Sequence, residues 1–164
     1  MILKLLSKKF YISFSIVALI YFIDRLSKIY IIHLDKNNLG SDIFNSAYLN
    51  IILIWNKGIA FGLLSFSKTY LYNILSLIIL IIILILIVMS LKSDGFKRYS
   101  LLLIVGGALG NLHDRIFFNA VPDFIDFHIG NFHWFIFNVS DIFITLGVIS
   151  MIVLELFDNK NEKI

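Results

Sequence analysis

Two aspartates, Asp123 and Asp141, are of a type and in a setting that could do acid–base chemistry. Asp123 lies between Phe124 and Pro122, the only proline of the chain, in a segment rich in aromatic residues. Such surroundings are expected to desolvate a carboxyl group and raise its pKa. If the two carboxyl groups meet, they share one proton, so that one activates a water molecule while the other protonates a leaving amine. The alternative, that both are solvated at a surface, stays open on the spacing alone.

Other polar residues interrupt stretches that are otherwise apolar. Asn111, Asp114 and Arg115 are spaced i, i+3 and i+4, which places them on one face of a helix. Asn138 and Asp141 are spaced i, i+3 and also share a face. Because charges are costly in lipid, these side chains are expected to face the interior of a helix bundle and to pair with one another.

A further group of charges lies in the first apolar stretch, at Asp24, Arg25 and Lys28. Two interpretations stay open for these residues and for Asp114 with Arg115: ion pairs that only lock helices together, or parts of a functional site. The chain has no cysteine, which excludes disulfides, thiolate metal sites and cysteine nucleophiles. Its four histidines lack the spacing of a metal site, so packing or interfacial roles are favoured over zinc binding.

The elements that must position these residues are transmembrane helices. The chain is 59% hydrophobic and only 15% charged, with a mean hydropathy of +0.91, which is unusual for a soluble domain. Four segments are long and apolar enough to cross a bilayer core of about 30 Å: residues 10–32, 70–91, 99–118 and 138–157. No small-residue cleavage site follows the first segment, so it is predicted to be a retained helix rather than a signal peptide. The sequence thus predicts an all-α integral membrane protein, a four-helix bundle in a single domain of residues 1–164.

The distribution of lysine and arginine predicts the orientation of this bundle. Eight of these cations lie in the termini and in the turn between the second and third helices: Lys4, Lys8, Lys9, Lys92, Lys97, Arg98, Lys160 and Lys163. The loops on the other side hold only Lys36, Lys57 and Lys68. Both termini are therefore predicted to be cytoplasmic, and the loops 33–69 and 119–137 extracytoplasmic.

The two extracytoplasmic loops carry different signals. Residues 48–56 are rich in β-branched and aromatic side chains, and a turn signal follows at residues 56–58. This pattern predicts a short sheet or hairpin at the membrane surface. Residues 119–137 are rich in phenylalanine, which is typical of the membrane interface.

The carboxylates of three predicted helices lie at similar depth. At 1.5 Å per residue, Asp24 and Asp114 lie roughly 21 and 22 Å above the cytoplasmic edge of the membrane. Asp141 lies roughly 5 Å below the outer edge. Asp123 belongs to the loop directly above. The carboxylates are therefore predicted to gather near the extracytoplasmic face, where lipid and water meet.

Five short motifs follow one another along nearly the whole chain. They are DRLSK at residues 24–28, NKGIAFG at 56–62, GGALGNLHDR at 106–115, VPDF at 121–124 and NVSD at 138–141. Each motif alone is weak, but together and in this order they closely resemble bacterial lipoprotein signal peptidase (signal peptidase II), an aspartic peptidase of the cytoplasmic membrane. The chain departs from the family pattern at His113, Phe135 and Ser140, and none of these departures removes a carboxylate or an asparagine.

The resemblance implies that Asp123 and Asp141 are the catalytic pair. It implies substrate-binding or site-supporting roles for six further residues: Asp24, Asn56, Gly107, Asn111, Arg115 and Asn138. The implied substrate is a prolipoprotein whose cysteine carries a diacylglyceryl group, cleaved just before that cysteine, and globomycin-type cyclic peptides should inhibit. We expect no metal, no organic cofactor and no nucleic-acid partner. The protein should act as a monomer among the lipids of the bacterial cytoplasmic (inner) membrane, with its active site on the extracytoplasmic side.

Two supporting roles follow from side-chain chemistry. Arg115 is expected to hold Asp114 or a neighbouring loop carbonyl in place. Asn56, Asn111 and Asn138 can both donate and accept hydrogen bonds, so they are candidates to orient substrate carbonyls or a tetrahedral oxyanion.

Two other classes of function are alternatives. A small transporter or channel component would use Asp24, Asp114 and Arg115 as a proton or ion relay. A non-enzymatic assembly factor would need neither Asp123 nor Asp141. The gathering of polar residues at one depth counts against a relay, because a path for ions should continue to the cytoplasmic side.

Overall fold

The part of the chain that the structure describes forms four long helices and a small sheet. The computed structural model describes residues 2–37, 42–58 and 69–161. The elements follow in the order α1 (Ile2–Asn37), β1 (Leu49–Asn56), α2 (Thr69–Lys92), α3 (Gly95–Phe118), β2 (Val121–Ile129), β3 (Phe132–Phe137) and α4 (Val139–Asn161). The prediction of a mostly helical protein with a small β-rich region is thereby confirmed.

Three of the described helices are long and apolar enough to cross a membrane: Tyr72–Lys92, Gly95–Phe118 and Val139–Phe157. On α2, apolar side chains such as Leu77 and Leu84 are more than half exposed, as expected of a surface that faces lipid rather than water. The first helix, α1, carries several charges in its second half and is not among these three. That α1 also crosses the membrane therefore stays a prediction.

The sheet is assembled from segments far apart in the sequence. Its strands are antiparallel in the order β1-β2-β3. Residues 48–56 form the predicted sheet, since Asn56 at the end of β1 is paired with Val121 of β2. An isolated antiparallel bridge between Phe44 and Ile51 adds a local pairing. The hairpin of the structure joins β2 to β3, with Ile129 opposite Phe132 and Gly130 in the turn at φ 59°. A positive φ favours glycine there.

Pro122 lies in the central strand, where a proline normally removes a hydrogen bond from the ladder. The second residue of β2 is opposite Trp55 of β1 only, because the pairing with β3 begins at Ile125. The missing N–H of the proline can therefore point to the side that has no neighbouring strand. A proline is therefore tolerated as the second residue of β2, immediately before Asp123.

The third helix, α3, is the centre of the bundle. It packs against α1, α2 and α4. Its residues Leu101, Leu102, Val105 and Leu112 are almost completely buried, and Ile83 of α2 packs into the same core. Because α3 touches every other helix, polar residues on its different faces can meet partners from each of them.

Glycines let α3 and α4 approach closely. A Cβ atom on Gly107 would lie 2.5 Å from the carbonyl oxygen of Ser140. A Cβ atom on Gly147 would lie 2.5 Å from Cγ1 of Ile104 and 2.7 Å from the carbonyl oxygen of Ser100. Small residues are typical of helix crossings in membranes, where close packing rather than the hydrophobic effect holds helices together.

We predict that Gly147→Ala lowers the thermal midpoint of the detergent-solubilised protein. Overpacking costs roughly 1–3 kcal/mol, which the better helix propensity of alanine, about 1 kcal/mol, only partly offsets. Val148→Ile is the matched control, because it also adds one carbon atom but to a side chain that is 41% exposed. An equal midpoint for Gly147→Ala and the control would show that the crossing is looser than described.

Candidate active site

A buried group of four charges joins α1 to α3. Lys28 Nζ lies 2.9 Å from Asp24 Oδ2 and 2.7 Å from Asp114 Oδ2. Arg25 also contacts both carboxylates, at 3.0 Å from Asp24 and 2.6 Å from Asp114. The side chains of Asp24, Lys28 and Asp114 are completely buried. Charges buried in a bundle are stable only when they are paired in this way, so the group fixes the register of the two helices.

Hydrogen bonds extend from this ionic cluster (Asp24, Arg25, Lys28 and Asp114) to the start of α4. Lys28 Nζ donates to Asn111 Oδ1 at 2.9 Å, and Asn111 Nδ2 donates to Asp141 Oδ1 at 2.8 Å. Asp24 Oδ1 accepts the backbone N–H of Ser140 at 3.0 Å. The ionic cluster therefore holds the first turn of α4 both through a side chain of α3 and through the backbone.

Asp141 is oriented by the capping of its own helix. Asn138 precedes α4, and Asp141 is the third residue of the helix. The backbone N–H of Asn138 donates to Asp141 Oδ2 at 3.1 Å, and the N–H of Asp141 donates to Asn138 Oδ1 at 3.2 Å. This reciprocal pair has the form of a capping box, which satisfies N–H groups that a helix leaves free at its start. The NVSD motif thus fixes the Asp141 carboxylate by local physics.

Asn138 also reaches the second aspartate. Its Nδ2 donates to Asp123 Oδ1 at 2.6 Å, so a single asparagine contacts both carboxylates. Asn56 Nδ2 donates to the other oxygen of Asp123 at 2.9 Å. Asp123 is opposite Ile54 in the ladder, and Asn56 lies two residues further along β1, on the same face of the sheet. The register of the sheet therefore brings Asn56 to Asp123.

Arg115 ties the end of β1 to α3. Its Nη2 donates to the carbonyl oxygen of Gly58 at 2.9 Å, while the N–H of Gly58 donates to Asn56 Oδ1 at 2.8 Å. Of the two roles predicted for Arg115, the contact with a loop carbonyl is confirmed. A role in holding Asp114 is wrong, because that carboxylate pairs with Arg25 and Lys28.

A cavity of about 350 Å³ opens where the bundle meets the sheet. Six of the eight predicted site residues line it: Asn56, Asn111, Arg115, Asp123, Asn138 and Asp141. The other two, Asp24 and Gly107, lie behind the lining and contact the first turn of α4 instead. Among the described residues, no group of three His, Asp or Glu side chains is arranged to hold a metal ion.

The electrostatics of Asp123 are set by opposing effects. Burial away from water, and then the negative charge of Asp141, raise the pKa of Asp123 to about 6. The amides of Asn56 and Asn138 and the charge of Lys28 act in the opposite direction. The shift has the direction predicted from the aromatic surroundings, and it places a carboxyl group near the pH at which acid–base catalysts work best.

Arg25, Lys28 and Asp114 are not among the site residues predicted from the sequence, which leaves their role open. The sequence does contain a pattern that indicates their involvement. These charges lie in apolar helices, and Asp24 and Lys28 are spaced i, i+4, so that they can pair on one helix face. All three departures from the family pattern are now placed, and Ser140 is the residue whose backbone N–H donates to Asp24. His113 Nδ1 is 2.8 Å from the hydroxyl of Tyr21, and Phe135 lines the cavity. Residues 59–62 of the second motif lie outside the described residues.

These features define a class of protein, a helical membrane enzyme with a polar site at one end of its bundle. Two solved structures, each described as a bacterial membrane enzyme, are similar to the chain. One has a TM-score of 0.74 and 31% identity, covering 91% of this chain and 90% of the other. The second has a TM-score of 0.69 and 33% identity, covering 88% and 92%.

Similarity to known sequences narrows this class to one family. The family model of signal peptidase (SPase) II matches residues 16–157, and the chain belongs to this family of membrane peptidases. The lipoprotein signal peptidase of Pelagibacter ubique is 48% identical over an alignment of 163 residues that covers 98% of this chain and 98% of the relative. That of Anaplasma phagocytophilum is 41% identical over 152 residues, covering 91% of this chain and 94% of the relative. The transporter alternative is not supported, since the relatives are peptidases and Asp24 and Asp114 are paired within the ionic cluster.

The hydrogen bond from Asn56 predicts a measurable titration shift. Its N–H stabilises the charged form of Asp123, so Asn56→Ala should raise the pKa of Asp123 above its value of about 6. Carboxyl ¹³C NMR of aspartate-labelled protein, with Asp123→Asn to assign the signal, measures the midpoint.

Asn50→Ala is the matched control for this titration. Asn50 lies on the same strand but donates to Asp126, at 3.3 Å, and not to Asp123. The control should leave the Asp123 midpoint unchanged. A midpoint for Asn56→Ala equal to or below that of the unmodified protein contradicts the hydrogen-bond assignment.

Proposed function

We propose that this chain is an aspartic endopeptidase that removes the signal peptide from diacylglyceryl-modified prolipoproteins and cleaves just before the lipidated cysteine. One observation carries the proposal: Asp123 and Asp141 both contact Asn138 and both line one cavity. Membership of the signal peptidase II family and relatives named lipoprotein signal peptidase support the substrate class.

The proposed reaction uses the two carboxyl groups as one unit that holds one proton. The ionised carboxylate takes a proton from a water molecule as the water oxygen attacks the carbonyl carbon of the scissile peptide bond. The protonated carboxyl group gives its proton to the amide nitrogen as the carbon–nitrogen bond breaks. The products are the carboxyl end of the signal peptide and the free amine of the lipidated cysteine.

The asparagines take a different part from the one that side-chain chemistry alone suggested. The Nδ2 atoms of Asn56, Asn111 and Asn138 each donate to an aspartate. Their proposed role is therefore to fix the carboxylates rather than to bind the substrate carbonyl. This pre-organisation means that little reorganisation is needed when the reaction begins.

A neighbouring apolar cavity supports a lipid-modified substrate. It measures about 420 Å³ and is lined by Phe127, Trp134, Phe135, Phe137, Asp141, Ile142, Thr145 and Leu146. It shares Asp141 with the cavity that holds both aspartates, so an acyl chain bound there would lie next to the scissile bond. A binding site that is mostly apolar suits such a chain, because each buried methylene group contributes about 0.8 kcal/mol.

We further propose that α1 crosses the membrane together with the other three helices and that both termini are cytoplasmic. The excess of lysine and arginine in the termini and in the turn between α2 and α3 supports this orientation. The site then faces the extracytoplasmic side of the inner membrane. Both aspartates come from one copy of the chain, which is consistent with a monomer.

We predict that Asp123→Asn and Asp141→Asn each abolish cleavage of a purified diacylglyceryl-modified prolipoprotein. General acid–base catalysis contributes roughly 10²–10⁴-fold, and neither amide can exchange a proton as a carboxyl group does. Asp94→Asn is the matched control, because Asp94 is exposed and pairs with Lys9 far from the site. Retained cleavage in either site variant, with the lipidated substrate, would sink the assignment of the pair.

The orientation has its own test, which the absence of native cysteine makes simple. Single cysteines are introduced as Lys97→Cys, near the start of α3, and Asn131→Cys, in the turn between β2 and β3; both positions are exposed. A membrane-impermeant maleimide applied to cells with an intact inner membrane should label Asn131→Cys, and Lys97→Cys only after lysis. The opposite pattern would reverse the proposed topology.

A further inference from the structure

Lys28 is a completely buried cation that has a partner for each of its donors. Its Nζ contacts Asp24 Oδ2 at 2.9 Å, Asp114 Oδ2 at 2.7 Å and Asn111 Oδ1 at 2.9 Å. A lysine ammonium group has three N–H donors and no acceptor. Two of these contacts are ion pairs with the carboxylates of the ionic cluster. The third is a hydrogen bond to the uncharged side chain of Asn111, which lines the active-site cavity.

The contact with Lys28 determines which way round the Asn111 amide lies. The oxygen of an asparagine side chain accepts hydrogen bonds, and its nitrogen donates them. With the oxygen facing the ammonium group, the nitrogen of Asn111 faces Asp141 Oδ1 at 2.8 Å. In the flipped orientation two N–H groups would face an ammonium, and an amide oxygen would face a carboxylate. Both contacts of the flipped amide would be repulsive.

We infer that Lys28 is a positioning residue for the aspartate pair, which holds Asn111 as a donor to Asp141 and keeps a positive charge behind the site. The inference rests on the proposed function and extends it, since Lys28 itself does not line the cavity. The ionic cluster thus has a second task besides joining helices.

The charge of Lys28 reaches the pair alongside several other groups. Lys28 contacts Asp24 of α1 and Asp114 of α3, and Arg25 pairs with the same two carboxylates. The charge of Lys28 also acts on Asp141 of α4, on Asp123 of β2 and on His113 of α3. The positive charge of Lys28 lowers the pKa of Asp123, against the effects of burial and of Asp141. Removal of that charge makes every anionic form of the pair less stable. Both limbs of the pH profile of kcat/KM should therefore move to higher pH.

Two variants separate the two parts of the inference. Lys28→Met removes both the charge and the donor, whereas Lys28→Gln removes the charge and keeps an N–H donor for Asn111. We expect Lys28→Met to lower kcat by up to about 100-fold with little change in KM, because a small misplacement of a reacting group has that effect. Lys28→Gln should recover part of kcat but keep the shifted pH profile.

Lys9→Met is the matched control on the same helix. Lys9 is half-exposed and pairs with Asp94 at the opposite end of the bundle. All variants are purified in detergent, checked for thermal unfolding and assayed with the same diacylglyceryl-modified substrate. The control should keep the kcat and the pH profile of the unmodified protein.

Loss of the buried cation could prevent folding, so a third variant keeps the test decisive. Asn111→Asp keeps an oxygen that accepts from Lys28 but replaces the donor to Asp141 by an acceptor, and it should lower kcat and shift the profile to higher pH. If folded Lys28 variants, or Asn111→Asp, keep the kcat and pH profile of the unmodified protein, the inference is overturned. The proposed function fails separately, if Asp141→Asn still cleaves.

Discussion

The structure depends on how buried charge is compensated inside an apolar bundle. Asp24, Arg25, Lys28 and Asp114 carry two negative and two positive formal charges, and the side chains of Asp24, Lys28 and Asp114 are fully withdrawn from solvent. Separated, any of them would cost several kcal/mol in such surroundings. The contacts between α1 and α3 are therefore fixed by the need to neutralise these groups. The position of α4 follows from two links to that cluster: Asn111 accepts from Lys28 and donates to Asp141, and Ser140 donates to Asp24.

Two kinds of backbone structure meet at the candidate site, the capped start of a helix and a pair of strands. The capping of α4 orients Asp141 through its reciprocal bonds with Asn138. The antiparallel register of β1 and β2 orients Asp123 beside Asn56. The bond from Asn138 to Asp123 connects the capped helix to the paired strands. Precision in the site thus comes from rigid elements, which is why both aspartates lie at the boundary of an element rather than within a long loop.

The sequence allowed the helices to be predicted because an apolar stretch of about 20 residues is a strong signal. The strands β2 and β3 were missed because their phenylalanines suggested only an interfacial loop. The alternation of Asp126, Phe127, His128 and Ile129, followed by Gly-Asn, is the pattern of a hairpin with a two-residue turn. The partner of β1 was not predictable in the same way, because β1 and β2 are separated by two helices. Strand pairing over such a distance leaves no local trace.

The partners of the asparagines also cannot be predicted from the sequence alone. Their chemistry allows them to bind either a substrate or a carboxylate, and only the distances decide. All four carboxylate oxygens of Asp123 and Asp141 accept one N–H from the protein: from Asn138 and Asn56 in one case, and from Asn111 and the backbone of Asn138 in the other.

A carboxylate oxygen has a second lone pair, so these bonds orient the groups without exhausting their capacity to accept. The same amides that fix the carboxylates also counteract the effect of burial on Asp123, whose pKa is raised only to about 6. Without them, desolvation would keep the carboxyl group neutral over a wider range of pH and make it a poorer partner in proton transfer. The hydrogen bonds that give the site its geometry therefore also set its acidity, and neither property can be changed without the other.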